Sequence, residues 1–363
     1  MFLNTCPKRM INGPCGGYRD TVCEDERLTC VWIMAYYTAI KRGTVDRMFT
    51  LKLDSGFKIN NYYPIPRRPR GAVEKILDGR VFMVYEYTPK PYSSPLNIPS
   101  ELRGIASIYD GVDFVDNPGG YPIPSSLPYA SMAKNSYRDM HVSIQLTARN
   151  RDRSQIASEI LAASLSGIDA IVATTGDLED SGKGVWDLDA PRIIYLARLI
   201  LDLGLDHLGR RVGLGGEGMA IACSVNINAR PLEPEILKLR VKKRAGAEIV
   251  ITQPVFDPEI LGRFRRMTKD LLGEEMPMIL GIIPIMSRKI ASFFQNKVGI
   301  KIPEKISKIL SSERIDKEEL LKTNIEVIEN IAREVAHNAF YVSAFGDHKL
   351  GYEIGRTIRR ALS

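Results

Sequence analysis

From Val81 to the C-terminus the chain alternates short apolar runs with longer amphipathic ones, eight times over. The apolar runs are VFMVYEY, VDFVDN, VSIQLTA, AIVATTG, GMAIACSVN, EIVITQPV, PMILGIIPI and AFYVSAF. Between them lie helical patterns such as SQIASEILAASLSG, PRIIYLARLILDLG, EPEILKLRVKKRAG, PEILGRFRRMTKDLLG and ELLKTNIEVIENIAREVAHN, and the chain closes on YEIGRTIRRAL. Several of the runs are almost wholly apolar, as strands covered on both faces must be. Many of the helical stretches open on Asp, Ser or Pro and end on Gly or Asn, residues that cap helix termini. Eight such units are the inventory of an α/β (β/α)8 TIM barrel. A doubly wound open sheet satisfies the same pattern, because periodicity does not show closure.

In a barrel, chemistry gathers where strands end and their following loops begin. Polar residues fall there: Glu86, Asn117, Gln145 with Thr147, Thr175 with Asp177, Asn226 with Asn228, and Gln253. Any one of them alone reads as a loop cap; their recurrence at equivalent places makes a ring of donors and acceptors suited to a large heteroaromatic ligand. Glu86 is flanked by Tyr85 and Tyr87, so strand alternation sends the carboxyl to one face and both rings to the other. Burial at that interior face would raise its pKa and suit it to general acid work; the competing reading is a salt-bridged core carboxylate. Asp177 reads equally as a helix N-cap after the fourth strand, and Tyr341 in AFYVSAF either approaches a ligand or packs.

Four of the five cysteines, Cys6, Cys15, Cys23 and Cys30, stand in the first thirty residues, and Cys223 reads as a small buried hydrophobe. Such crowding implies one shared bound object. Two disulfides need an oxidising compartment, and MFLNTCPKRM carries no apolar export core, so a cytoplasmic protein is expected. Thiols at this density are more often metal ligands, and the gaps of eight, seven and six residues leave zinc and an iron–sulfur cluster both open. Residues 1–60 are therefore read as a cysteine-rich module with linker, and 75–363 as the barrel, with the Pro- and Arg-rich PIPRRPRG between them. The net charge of +7 is modest, so no nucleic-acid partner is implied, though an anionic small molecule would benefit. No apolar run reaches the roughly 18 residues of a membrane span. GLGGEG, at residues 213–218, matches a dinucleotide-binding glycine pattern but precedes a strand instead of following one, so it reads as a turn. His141, His207, His337 and His348 have no spacing that suggests metal ligation.

Several stretches together resemble the methylenetetrahydrofolate reductase family, especially its short type from acetogens and other anaerobes: VYEYTPK, LTARNRDR, ATTGD, GVWDLDA, SVNINARPLEPEILKLRVKKRAGAEIVITQPVFD and LGIIPIMSRKIASFFQNKVGIKIPE. The N-terminal CPKRMINGPCGG with the two later cysteines resembles the small partner subunit of those reductases, here fused in front, in which four cysteines hold a 4Fe-4S cluster or zinc. The resemblance implies a flavoenzyme, with FAD or FMN, that reduces 5,10-methylene-tetrahydropterin to the 5-methyl form by flavin hydride transfer. Its implied partners are tetrahydrofolate or an analogous pterin, NAD(P)H or a redox protein as electron donor, and in some settings a second copy of itself. It gives Glu86 the place of the general acid, sets Asp177 near flavin and folate, and gives Gln253 a hydrogen bond to the pterin. Lys242 matches a flavin-phosphate contact, Glu235 a ribityl or ribose contact, and Thr147, Thr175 and Gly176 the flavin-binding loops. Gln145 and Asn117 stand where the family carries His and Thr, and both can still hydrogen-bond a flavin ring. Arg288 stands where some members carry a pterin-stacking Phe. Two other readings use the same features: a non-catalytic iron–sulfur scaffold or electron-transfer subunit, and a pterin methyltransferase with a corrinoid partner.

Overall fold

The computed structural model describes residues 5–64, 70–89, 98–178, 184–213, 218–335 and 337–363. Eight parallel strands close into a barrel in sequence order, β8 pairing back onto β1. They are β1 (Phe82–Tyr87), β2 (Gly111–Phe114), β3 (His141–Thr147), β4 (Ala170–Thr174), β5 (Ala220–Val225), β6 (Ile249–Thr252), β7 (Met278–Ile282) and β8 (Ala339–Ser343). Closure decides against the open sheet. Every expected strand is present, and all but β1 end a residue or more before their apolar runs do, so the polar rim residues after β2, β4, β5 and β6 belong to loops.

The helices are α1 (Val31–Lys41), α2 (Val45–Met48), α3 (Gly71–Leu77), α4 (Ile98–Ala106), α5 (Ser126–Ser136), α6 (Arg153–Leu165) and α7 (Ala190–Arg198). They continue with α8 (Glu233–Ala245), α9 (Pro258–Leu272), α10 (Arg288–Phe293), α11 (Glu304–Ser311), α12 (Lys317–Glu334) and α13 (His348–Leu362). Caps legible in the sequence do their work. Asp152, Asp257, Asp316 and Asp347 each accept a backbone N–H in the first turn of the helix they precede, satisfying donors that have no partner inside the helix.

Strand alternation sorts the side chains into two cores. Met83, Tyr85 and Tyr87 of β1 point outward into the large layer between barrel and helices, with Leu102, Tyr109 and Val112. Phe82 and Val84 point inward, where they meet Val172, Ala222, Ile249, Ile251, Ile279 and Ala339, while Ala72 and Val73 of α3 plug the end where the strands begin. The lower interior is thus filled with apolar side chains and is no channel. Tight passage between β6 and β7 requires Gly281, since a Cβ there would stand 2.5 Å from the Thr252 carbonyl oxygen.

The cysteine module lies against α8. Met10, Tyr18, Cys30, Trp32 and Ile33 pack with Ala229, and Tyr36 with Phe49 packs onto Leu237 and Val241. Tyr18 donates to Pro231 O at 2.7 Å, and the Lys238 ammonium donates to Pro14 O. A module that completes its core on α8 has no independent interior. Residues 214–217 of GLGGEG and 65–69 of PIPRRPRG fall outside the described residues. Among the described residues no helix is long and apolar enough to cross a membrane.

Replacing Gly281 by Ala is expected to destabilise the barrel by about 1–3 kcal/mol, the usual cost of forcing atoms into a packed site. Denaturant unfolding measures it; an unchanged midpoint would show that β6 and β7 can move apart freely.

Candidate active site

Above the apolar filling, the barrel interior turns polar. Register places Glu86 of β1 opposite Asp113 of β2 and Ser343 of β8, and Asp113 opposite Ser143 of β3. Ser343 donates to Glu86 Oε1 at 2.5 Å and Ser143 to Asp113 Oδ1 at 2.5 Å. Tyr341 joins the two carboxyls: its phenol oxygen lies 2.9 Å from Glu86 Oε2 and 2.6 Å from Asp113 Oδ2. Gln145 Nε2 donates to Asp113 Oδ2 at 3.1 Å and to the Tyr341 oxygen at 3.0 Å.

A phenol has one proton and can donate one hydrogen bond. Two carboxylates at bonding distance from the same phenol oxygen therefore require a second proton, carried by Glu86 or Asp113, or the unserved contact is repulsive. Burial points the same way. It raises the pKa of Glu86, opposed by hydrogen bonds from Ser343 and Tyr341 and aided by the charge of Asp113. It likewise raises that of Asp113, which is fully buried, against hydrogen bonds from Ser143 and Tyr341. Neither carboxyl has an ion-pair partner among the described residues, which disposes of the salt-bridged reading of Glu86. What remains is a pair of buried carboxyls whose neutral forms burial favours, with Glu86, the half-buried member, toward the strand ends.

Loops after β2, β3 and β4 form the adjoining rim. Asp116 Oδ2 accepts from the Thr147 N–H and hydroxyl, both at 2.9 Å, and the Arg151 guanidinium clasps both Asp116 oxygens at 2.5 and 3.0 Å. Asn117, in the left-handed conformation at φ 46°, donates to Asp116 Oδ1 and accepts from Ile123 N–H. Arg149, buried, staples two loops by donating to Asp177 O at 3.1 Å and to Asn117 O at 3.0 Å. Thr175 accepts from Ala190 N–H at 3.3 Å, and Gly176, at φ 88°, lets the loop pass 3.1 Å from the Arg149 Cβ at its own Cβ position. Asp177 is exposed and accepts from Gly119 N–H at 3.1 Å; the cap of α7 is Asp189, so Asp177 is not the N-cap of that helix.

The structure thus joins Glu86 and Gln145 in one network and Asn117, Thr147, Gly176 and Asp177 in another. Gln253 leaves β6 half-buried, its N–H on Val225 O. Asn228 is a loop staple, donating to Pro254 O, and Asn226 donates to Gly16 O and Val298 O. Two further candidate residues lie on α8: Lys242 is buried with its ammonium on Ser224 O, and Glu235 is buried beneath Gly16, accepting from Asn226 N–H. Arg288 points away from the barrel mouth, donating to Leu310 O and Ser312 O.

Sequence reasoning missed Asp113, although a charge in the middle of the buried run VDFVDN is a signal. It also missed Arg149 and Phe345. The Phe345 ring is 45% exposed just beyond β8, on backbone at φ 52°, and packs 6.1 Å from Phe294. A bulky residue in the left-handed region is costly and often functional.

All five cysteines are free thiols. Cys6, Cys15, Cys23 and Cys30 line one small core, and burial raises the thiol pKa of Cys15, Cys23 and Cys30, the last to about 11. Among the described residues, however, no three His, Cys, Asp or Glu side chains converge closely enough to hold a metal ion. Cys15 also contacts Glu24 Oε2 at 3.4 Å.

Known proteins resemble this chain along most of its length. The family model described as Methylenetetrahydrofolate reductase matches residues 72–355, and one described as Methylene-tetrahydrofolate reductase C terminal matches residues 2–55, at the opposite end of this chain. The chain is 23% identical over 277 residues to Methylenetetrahydrofolate reductase 2 of Schizosaccharomyces pombe, covering 73% of this chain and 42% of that protein. It is 26% identical over 197 residues to 5,10-methylenetetrahydrofolate reductase of Escherichia coli, covering 53% of this chain and 62% of the relative. The match thus spans about half the length of these curated relatives. A solved structure of an uncharacterized protein from Clostridium thermocellum that binds two copies of 5-methyl-5,6,7,8-tetrahydrofolic acid shares the fold, with a TM-score of 0.53 at 15% identity over 80% of this chain and 98% of that one.

Raised carboxyl pKa values carry a sign. The folded chain holds protons that the unfolded chain releases above its ordinary carboxyl range, so these groups cost stability progressively as pH rises from about 4.5. Glu86→Gln and Asp113→Asn are expected to unfold at higher denaturant than the parent at pH 7 and to lose that advantage toward pH 4. Equal pH dependence in parent and variants would mean that neither carboxyl is perturbed.

Proposed function

The chain belongs to the methylenetetrahydrofolate reductase family, and on that premise we propose that it reduces a 5,10-methylene-tetrahydropterin, tetrahydrofolate foremost, to the 5-methyl form. The observation that carries this reading is the Tyr341 phenol oxygen shared between the buried carboxyls of Glu86 and Asp113. Breaking one C–N bond of the methylene bridge requires protonating the departing nitrogen, which leaves an iminium carbon on the other nitrogen. A carboxylic acid kept neutral by burial can supply that proton near neutral pH, where an exposed Glu would already be ionised. Glu86 is the donor at the strand ends. Once it has given up its proton, Ser343 and Tyr341 donate to the carboxylate, and the Gln145 amide donates to the phenol oxygen.

The second requirement is a hydride for the iminium carbon, and a bound flavin supplies it. The rim suits such a ring. Thr174 Oγ1, at the end of β4, is buried with no partner among the described residues, and Gly176 presents bare backbone. We assign flavin holding to the loops carrying Thr147, Thr175, Gly176 and Asn117, with the Gln145 amide beneath them. Asp177 would disfavour added negative charge on the ring and so tune its potential. Gln253 is assigned to the pterin edge, and the exposed Phe345 ring offers a stacking face that Arg288 does not.

The four N-terminal thiols are assigned to an iron–sulfur cluster or zinc on their shared core and on the cations Lys8 and Lys238 near Cys15, which suit a thiolate site. Among the described residues no three such side chains converge on a metal position.

Glu86→Gln is expected to lower methyl-forming turnover by about 10²–10⁴-fold, the usual worth of a positioned acid, while flavin absorbance is retained; unchanged steady-state turnover would remove Glu86 from the role. Iron and zinc analysis of anaerobically purified protein is expected to find bound metal that Cys23→Ser loses. Metal-free parent protein would leave the thiols as packing.

A further inference from the structure

We propose that Lys8 and Glu24 of the cysteine module are positioning residues for Asp177, holding the two peptide groups on either side of its Cα. The Lys8 ammonium, whose side chain is 4% exposed, donates to Gly176 O at 2.7 Å, the carbonyl of the peptide entering Asp177. Glu24 Oε1 accepts from Leu178 N–H at 2.8 Å, in the peptide leaving it. The two side chains also pair with each other through Glu24 Oε2, which takes the Cys15 thiol contact as well. One buried ion pair therefore spans residue 177, with Arg149 adding a third tether on Asp177 O at 3.1 Å.

Its surroundings fix the clamp. The Lys8 ammonium sits 5.6 Å from the Trp186 ring centroid, a cation–π contact in the loop that leads to α7. Gly17 leaves room for Glu24, since a Cβ there would lie 2.7 Å from Oε2. Behind Lys8, Asn12 and Ile11 bind the Asp189 carboxylate through two backbone N–H groups at 3.1 Å each. The module is thereby locked to both ends of the β4–α7 loop, residues 176–178 on one side and Asp189 on the other. Paired and desolvated, Lys8 and Glu24 hold one geometry far more rigidly than exposed side chains would. Removing one partner leaves the other charge buried and uncompensated, so the loop's position and the module's seat change together.

The proposal rests on the reading that Asp177 serves the active site, and the test separates the two. Amide hydrogen exchange of the full chain, read at Leu178, reports the clamp without any substrate. Glu24→Ala is expected to speed Leu178 exchange by about tenfold or more, the loss of a charge-assisted hydrogen bond, with the amides of β4 and β5 unchanged. Glu24→Gln keeps an acceptor for Leu178 N–H and is expected to restore most of the protection. Lys8→Met, which frees Gly176 O, supplies a second readout should Glu24→Ala fail to fold. Gly17→Ala should displace Glu24 without deleting it and also expose Leu178. In turnover assays Glu24→Ala should lose about tenfold in kcat and Glu24→Gln recover most of it. Leu178 exchange unchanged in both Glu24→Ala and Lys8→Met overturns the clamp, and so does exchange raised throughout the barrel, which would make the pair a fold element. A parent protein that forms no methyl product while Leu178 responds as expected sinks the proposed reaction and leaves the clamp standing.

Discussion

A single phenol oxygen shared by two buried carboxyls sets the chemistry of this barrel. Glu86 and Asp113 are neighbours by strand register, so their proximity is imposed by the sheet and cannot relax by side-chain rotation alone. With no ion-pair cation among the described residues, burial raises the pKa of both carboxyls and favours their neutral forms. Ser143, Ser343 and Gln145 supply hydrogen bonds that make the remaining charge tolerable. The apolar filling from Phe82 to Ala339 below excludes water from that side, and α3 closes the far end. The outcome is an acid poised toward the open end of a cylinder that is otherwise packed solid.

The second organising contact is between the cysteine module and α8. Glu235, Lys238 and Lys242 are all buried on this helix, although its sequence reads as an ordinary amphipathic surface. Their charges are met by backbone, Pro14 O for Lys238, Ser224 O for Lys242 and Asn226 N–H for Glu235. Burial and the neighbouring Lys242 bring the pKa of Lys238 down to about 8. Lys238 and Glu235 meet the N-terminal segment at Pro14 and Gly16, while Lys242 bonds back to β5. The same module reaches across to the loop after β4, which ties the cysteine-rich segment to the rim.

Much of this was legible in the sequence. Period-2 and period-3.6 patterning gave all eight strands in order, because strands buried on both faces leave little freedom in residue type. The orientation of Glu86 opposite Tyr85 and Tyr87 followed from alternation alone. Closure did not, since it depends on β8 meeting β1 across the whole chain. Partners of polar side chains were hidden for a similar reason. Nothing near Lys242 in sequence reveals that the Ser224 carbonyl will lie under it, and nothing near Lys8 points to Gly176. Asn117 and Thr175 were placed correctly at strand exits, yet their side chains brace loops, the bland reading that polar rim residues always carry. Asp113 was the avoidable omission, because a carboxylate within a buried strand needs a reason.

The protonation of these carboxyls can be observed directly. Infrared difference spectroscopy at neutral pH, comparing the parent with Glu86→Gln and Asp113→Asn, should show a protonated carboxylic acid C=O stretch in the parent that either substitution shifts or removes. A parent spectrum with ionised carboxylate bands alone, insensitive to both substitutions, would contradict the account of an acid held ready inside the barrel.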